Sequence, residues 1–116
     1  MITATLKFAD NGLYCGLKVK GHSGSAPKGR DIICAAVSAI VQTALIGLDE
    51  VALIKDSYVI SDGLVECNLP DASDNDSLNK AQIIIKVMHL GLISIAEQYH
   101  DFHLQHCRRT IREAGC

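Results

Sequence analysis

The chain has 116 residues, 11 Lys+Arg against 13 Asp+Glu, a formal net charge of −2, 48% hydrophobic residues and 4% aromatic ones. That length suits one domain over residues 1–116, with 110–116 as a polar tail, and the apolar share is too high for a disordered chain. The near-neutral balance argues against a general nucleic-acid or membrane-surface binder, since both depend on clustered Lys and Arg.

Ile2 to Phe8 alternates apolar and polar residues, the period of a half-buried strand. Asp10-Asn11-Gly12 is a hairpin turn signal. Leu13 to Val19 then alternates again, with Leu13, Cys15, Leu17 and Val19 expected on one face. Lys20 to Arg30, containing GHSGSAPKG, reads as a loop. Asp31 is a candidate N-cap for the long proline-free run IICAAVSAIVQTALIGL, a helix expected to end near Leu48 to Val51.

Leu53 to Ile60 reads as a third strand, Asp62-Gly63 as a tight turn and Leu64 to Leu69 as a fourth strand. Pro70 to Asn75 is a polar loop. A second helix is expected from Asp76 or Ser77 to about Tyr99, because Leu78, Ala81, Ile85, Met88, Leu92 and Ile95 recur at helical spacing. His100 to Arg109 fits either a last edge strand or a continued helix. The expected fold class is α+β: a mainly antiparallel sheet of hairpins with two helices packed on it, in the order ββαββα(β). Long apolar helices on a small sheet leave apolar surface that a homodimer would bury.

The N-terminus, MITATLKFADNG, lacks the basic start and apolar core of a signal peptide, and neither long apolar run is a convincing membrane span. A cytoplasmic protein is expected, with its five cysteines as thiols. The count then becomes a question of reactivity or metal binding.

Val19 to Ser38, VKGHSGSAPKGRDIICAAVS, stands apart. His22 sits in a glycine-rich loop after a strand, and Cys34 sits in the first turn of the next helix. Cysteine chemistry needs a thiolate, which a helix N-terminus and a nearby imidazolium both favour. The pair indicated is Cys34 as nucleophile and His22 as general base and acid, with first-turn amides as oxyanion donors. Gly21 and Gly24 allow positive φ or close approach to a substrate. Asp31 either caps the helix or orients His22. Ser38, one turn after Cys34, either holds the loop or a water, or simply packs. Against this, a Cys in an apolar helix is commonly just a small buried residue, and a Gly-rich loop opening a helix can hold an anion.

The same stretch closely resembles the bacterial ribosomal-processing cysteine proteases called Prp. That family carries a GH-A-G loop and then G-x-D-I-V-C-A-A-V-S. The counterparts here are Gly21-His22, Gly24 and Gly29-Arg30-Asp31-Ile32-Ile33-Cys34-Ala35-Ala36-Val37-Ser38, with the same separation from His22 to Cys34. The order of hairpins and helices also follows the family's. The resemblance implies a homodimeric cysteine endopeptidase with a Cys34–His22 pair and Asp31 and Ser38 at motif positions of less defined role. It implies that a loop containing Gly21, Gly24 and Gly29 meets the substrate. The implied substrate is the N-terminal extension of a large-subunit ribosomal protein, the twenty-seventh in the standard naming, cut after a hydrophobic, Phe-containing sequence. Ser23 replaces the family's usual Ala, Ser25-Ala26-Pro27-Lys28 is an unusual loop, and Arg109 to Cys116 extends past the usual last strand.

No cofactor, membrane or nucleic-acid partner is expected. His100, His103, His106 and Cys107 form HxxHxxHC, which would gather on one face only if helical, and no metal site is expected from it. Cys15 and Cys67 read as buried thiols, Cys107 and Cys116 as exposed ones, and Asp71 to Asp76 as a solvated, helix-capping loop. The alternative to the protease is a non-catalytic dimeric module that binds ribosomal protein or the assembling ribosome, with Cys34 a packing residue.

Overall fold

The computed structural model describes residues 2–22, 30–70 and 74–108, with only the backbone of His22, Arg30 and Asp31. The elements are β1 (Ile2–Phe8), β2 (Tyr14–His22), α1 (Arg30–Glu50), β3 (Tyr58–Ser61), β4 (Gly63–Asn68), α2 (Asn75–Gln98) and β5 (Phe102–Arg108). They form a five-stranded sheet in the order β3-β4-β2-β1-β5 with a two-helix layer. Three of the four strand pairings are antiparallel; β5 runs parallel to β1. The α+β reading holds, and the stretch from His100 is a turn followed by edge strand β5 over Phe102–Arg108 rather than a continued helix; Arg109 lies outside the described residues.

One sheet face carries the core. Ile2, Ala4, Leu6, Leu17, Val19, Val65, Cys67 and Phe102 are buried against Ile33, Val37, Val41, Leu45 and Leu48 of α1 and Ala81, Ile85, Met88 and Leu92 of α2. The helices cross closely where side chains are missing: Ile84 lies against Gly47, and Ile40 against Gly91.

The β1–β2 hairpin turns through Asp10-Asn11-Gly12, with Gly12 at φ 85°. The Asn11 side chain accepts from the Leu13 amide at 3.0 Å, and Ala9 N–H donates to Leu13 C=O at 2.8 Å. The pairing then slips, so that Lys7 faces Gly16 while Phe8 faces Tyr14. The extra residue, Cys15, is a β-bulge. It inverts the alternation of β2, which corrects the expected face: Leu17 and Val19 are buried, but Leu13 is 50% exposed and Tyr14 takes the inner position beside Phe8.

The expected strand from Leu53 is shorter, beginning only at Tyr58. Leu53 and Asp56 both have φ near 58° (57° and 58°), which an extended strand cannot contain. This irregular stretch still closes the core, with Ala52 and Ile54 buried. The Asp62-Gly63 turn joins Ser61 to Leu64 as expected, with Gly63 at φ 72°. α2 starts slightly earlier than its apolar period suggests, because Asp74 is the N-cap and accepts from the Ser77 amide at 2.8 Å.

On the opposite sheet face Lys7 is 4% exposed. Its Nζ lies 2.9 Å from Glu66 Oε2 and 3.2 Å from Asn68 Oδ1. It reaches β4 across β2 because the intervening residue is Gly16. The hydrogen bond from Lys7 holds the Glu66 carboxyl below its ordinary value of 4.5, against a smaller upward effect of desolvation. A carboxyl depressed by folding contributes stability above its unfolded pKa, and that stability is lost as pH falls through the folded pKa. In urea titrations, the stability gap between wild type and Lys7→Met is therefore expected to be widest near neutral pH and to narrow below about pH 4.5.

Candidate active site

β2 ends on His22, which pairs with Gly63 at the start of β4. The register shifts between Lys20 and His22, and Gly21 there has φ 92°, a conformation that favours glycine. α1 begins at Arg30, so residues 23–29 are all that separates the end of β2 from the helix. Gly24 and Gly29 lie outside the described residues.

The helix starts one residue before the candidate N-cap. Asp31 has helical backbone inside the first turn, and Cys34 is the fifth helical residue rather than the third. The consequence for chemistry is small. Helical Cα–Cβ bonds tilt toward the N-terminus, so a side chain at Cys34 lies over the turn before it, where amides lack intrahelical partners.

The buried stripe of α1 runs through Ile33, Val37, Val41 and Leu48, and its α2-facing side carries Ile40 and Gly47. By helical phase Cys34 and Ser38 fall on the opposite flank. Asp49, about four turns on, shares that flank. It accepts a 2.8 Å hydrogen bond from the Tyr58 hydroxyl of β3, an interaction that raises the Tyr58 pKa. The Cys34 flank therefore looks toward the β3–β4 hairpin. Ile60, paired with buried Val65 and so on the helix side of edge strand β3, is 54% exposed there. Sequence reasoning assigned Ile60 no role, since its place beside the flank depends on the β3–β4 register.

The cysteines separate by environment. Cys67 is fully buried, and desolvation pushes its thiol up to about 11, leaving it inert at neutral pH. Cys107 is disulfide-bonded, which corrects the expectation of thiols throughout. Cys15 and Cys34 are free and half-buried. Of these two, only Cys34 stands at a helix start. Cys116 and the rest of the 110–116 tail lie outside the described residues.

A half-buried thiol in the opening turns of a helix is a position where cysteine can be held as a nucleophilic thiolate. The profile of the family described as cysteine protease Prp matches residues 1–103, and the chain belongs to that family. It is 28% identical over 103 residues to the ribosomal processing cysteine protease Prp of Bacillus subtilis, covering 87% of this chain and 92% of that one. Among solved structures, a Streptococcus mutans protein superposes with a TM-score of 0.81 at 26% identity, over 94% of this chain and 99% of the other. The S. aureus Prp protease with a covalently linked product peptide superposes with a TM-score of 0.76 at 26% identity, over 91% and 99%. The chain is a ribosomal-processing-type cysteine protease by family.

Proposed function

We propose that this protein removes the N-terminal extension of a large-subunit ribosomal protein, the twenty-seventh in standard naming, using Cys34 as nucleophile and His22 as its base. The observation that supports the reading is the chain order: β2 stops on His22, and α1, with Cys34 in its opening turns, begins at Arg30. In the proposed reaction His22 takes the Cys34 proton and the thiolate attacks the scissile carbonyl. First-turn amides donate to the oxyanion, and the leaving amine takes the proton from His22. Water, deprotonated by His22, then releases the acyl group. Asp31 and Ser38 are positioning residues in this scheme, and Gly21, Gly24 and Gly29 belong to the segment that meets the peptide. Ile60 offers an apolar wall for a hydrophobic substrate residue. A relative that carries a covalently linked product peptide supports the covalent step. A cytoplasmic enzyme is part of this reading.

The test is a synthetic peptide spanning the extension junction, incubated with the pure protein and read by mass spectrometry. One cut at the junction is expected. A peptide that binds but stays intact would favour the non-catalytic docking module.

The working unit in this reading is a homodimer. α1 and α2 are each long and apolar enough, by length and composition, to cross a membrane, yet both are joined to the sheet through one core. Their outer faces form a groove of about 610 Å³ lined by residues that include Ile40, Gly47, Ile83, Ile84, Val87 and Gly91. Ile83 and Val87 are each 64% exposed. A second copy of the same helix pair is a matching apolar partner. Val87→Glu is expected to convert the dimer to monomer in light scattering coupled to size exclusion; an unchanged mass would place the interface elsewhere.

A further inference from the structure

Because β5 is a strand over Phe102–Arg108, with His100 in the turn before it, HxxHxxHC cannot gather on one face. Among the described residues, no group of three or more His, Cys, Asp or Glu side chains is placed to hold a metal ion. The sheet instead brings one member of the motif to a histidine elsewhere. His106 pairs with Leu6 on the helix side of β5 and meets His89 of α2, with Nε2 to Nε2 at 2.8 Å. The Tyr14 hydroxyl lies 2.8 Å from the other ring nitrogen of His89, Nδ1. Phe8 walls the pair, its ring centroid 5.7 Å from that of His106 and 6.2 Å from that of His89. His89 is half-buried and His106 is exposed.

We propose that His89 and His106 form a two-histidine site for a late first-row divalent cation, with Tyr14 as its orienting outer partner. The chemistry follows from the two contacts. When His89 Nδ1–H donates to the Tyr14 phenol oxygen, Nε2 carries the lone pair, the form in which histidine binds metal. In that tautomer His106 Nε2–H donates to His89 Nε2 across the 2.8 Å contact, and binding a cation displaces this proton so that both Nε2 atoms can take the ion. Imidazole nitrogens select zinc, copper or nickel over calcium or magnesium. Zn–N bonds of about 2.0–2.1 Å at a tetrahedral centre set the two nitrogens about 3.3 Å apart. The exposed His106 ring would open its present 2.8 Å contact and turn so that both nitrogens face the ion. With two protein ligands, water completes the shell on the open side. The ion would fasten edge strand β5 to α2. Tyr14 and His22 are opposite ends of β2, so this seam is remote from the Cys34 site.

Zinc ion titrated into the full chain, followed through the imidazole NMR signals of its five histidines, tests the site. His89 and His106 are expected to move together and saturate at one zinc per protomer, in wild type and in Cys34→Ala, which separates this site from zinc on the thiol. His106→Gln is expected to lose the response and the accompanying rise in Tm, and Tyr14→Phe to weaken it by about 10-fold. Zinc that moves His100 and His103 as much as His89, that acts only in the presence of Cys34, that still shifts His89 in His106→Gln, or that leaves His89 unmoved at millimolar concentration would overturn the proposal.

Discussion

Cys34→Ala should abolish peptide cleavage, lowering kcat by about 10⁶-fold, the cost typical of removing a catalytic nucleophile. The loss is chemical rather than structural. Cys34 is only partly buried and packs against the rim of the core, so removing one sulfur atom there leaves the stripe from Ile33 to Leu48 in place. The melting temperature should change by no more than a few degrees. Cys34→Ser should be nearly as inactive, because a hydroxyl at that point is a far weaker nucleophile than a thiolate. Losses from nucleophile and base are not additive, so the double variant with His22→Ala should be little worse than Cys34→Ala alone. Progress curves on the junction peptide, with circular dichroism to confirm folding, measure both. Cleavage by Cys34→Ala at the wild-type rate would remove Cys34 from the mechanism.

Gly16→Ala should be the most damaging small substitution outside the site. Gly16 lies just after the Cys15 bulge, with Lys7 on one side and Asn68 on the other. A methyl group there would run into the backbone carbonyl oxygen of Cys67, which is anchored in the central ladder. A flexible side chain could swing aside; a strand backbone cannot without breaking its pairing. The same methyl would enter the space across which Lys7 reaches Glu66 and Asn68. A loss of about 3 kcal/mol is expected, the upper part of the range for overpacking. For a domain of this size that corresponds to a fall in Tm of roughly 10–15 °C. Urea unfolding beside Leu13→Ala, an exposed residue of the same hairpin, provides the control; equal midpoints for the two variants would contradict the close-approach argument.

The features legible in the sequence share a physical trait: each is settled within a few residues. Asn11-Gly12 and Asp62-Gly63 supply the backbone freedom of their turns. The 3.6-residue period of Leu78 to Ile95 marks α2 without reference to anything else. The stretch from Gly21 to Ser38 places a histidine and a cysteine across one strand-to-helix connection, so the candidate site needs only local connectivity. The misplaced features depend on neighbours. The Cys15 bulge arises from how β2 meets both β1 and β4, and it put Tyr14 instead of Leu13 on the face that Leu17 and Val19 share. Leu53 to Ser57 has the composition of a strand but adopts left-handed positions at Leu53 and Asp56 while it packs Ala52 and Ile54 under the core.

The sequence alone determined the order of the first six elements, the two turns and the candidate pair of Cys34 and His22, because periodicity, turn chemistry and a short loop act over neighbouring residues. Only the tertiary structure decided that β5 joins the sheet parallel to β1, that Lys7 is buried over Gly16, that the Cys34 flank faces Ile60, and that His106 meets His89 from 17 residues away. Those outcomes depend on strand register and helix phase, which are set by the packing of the whole core.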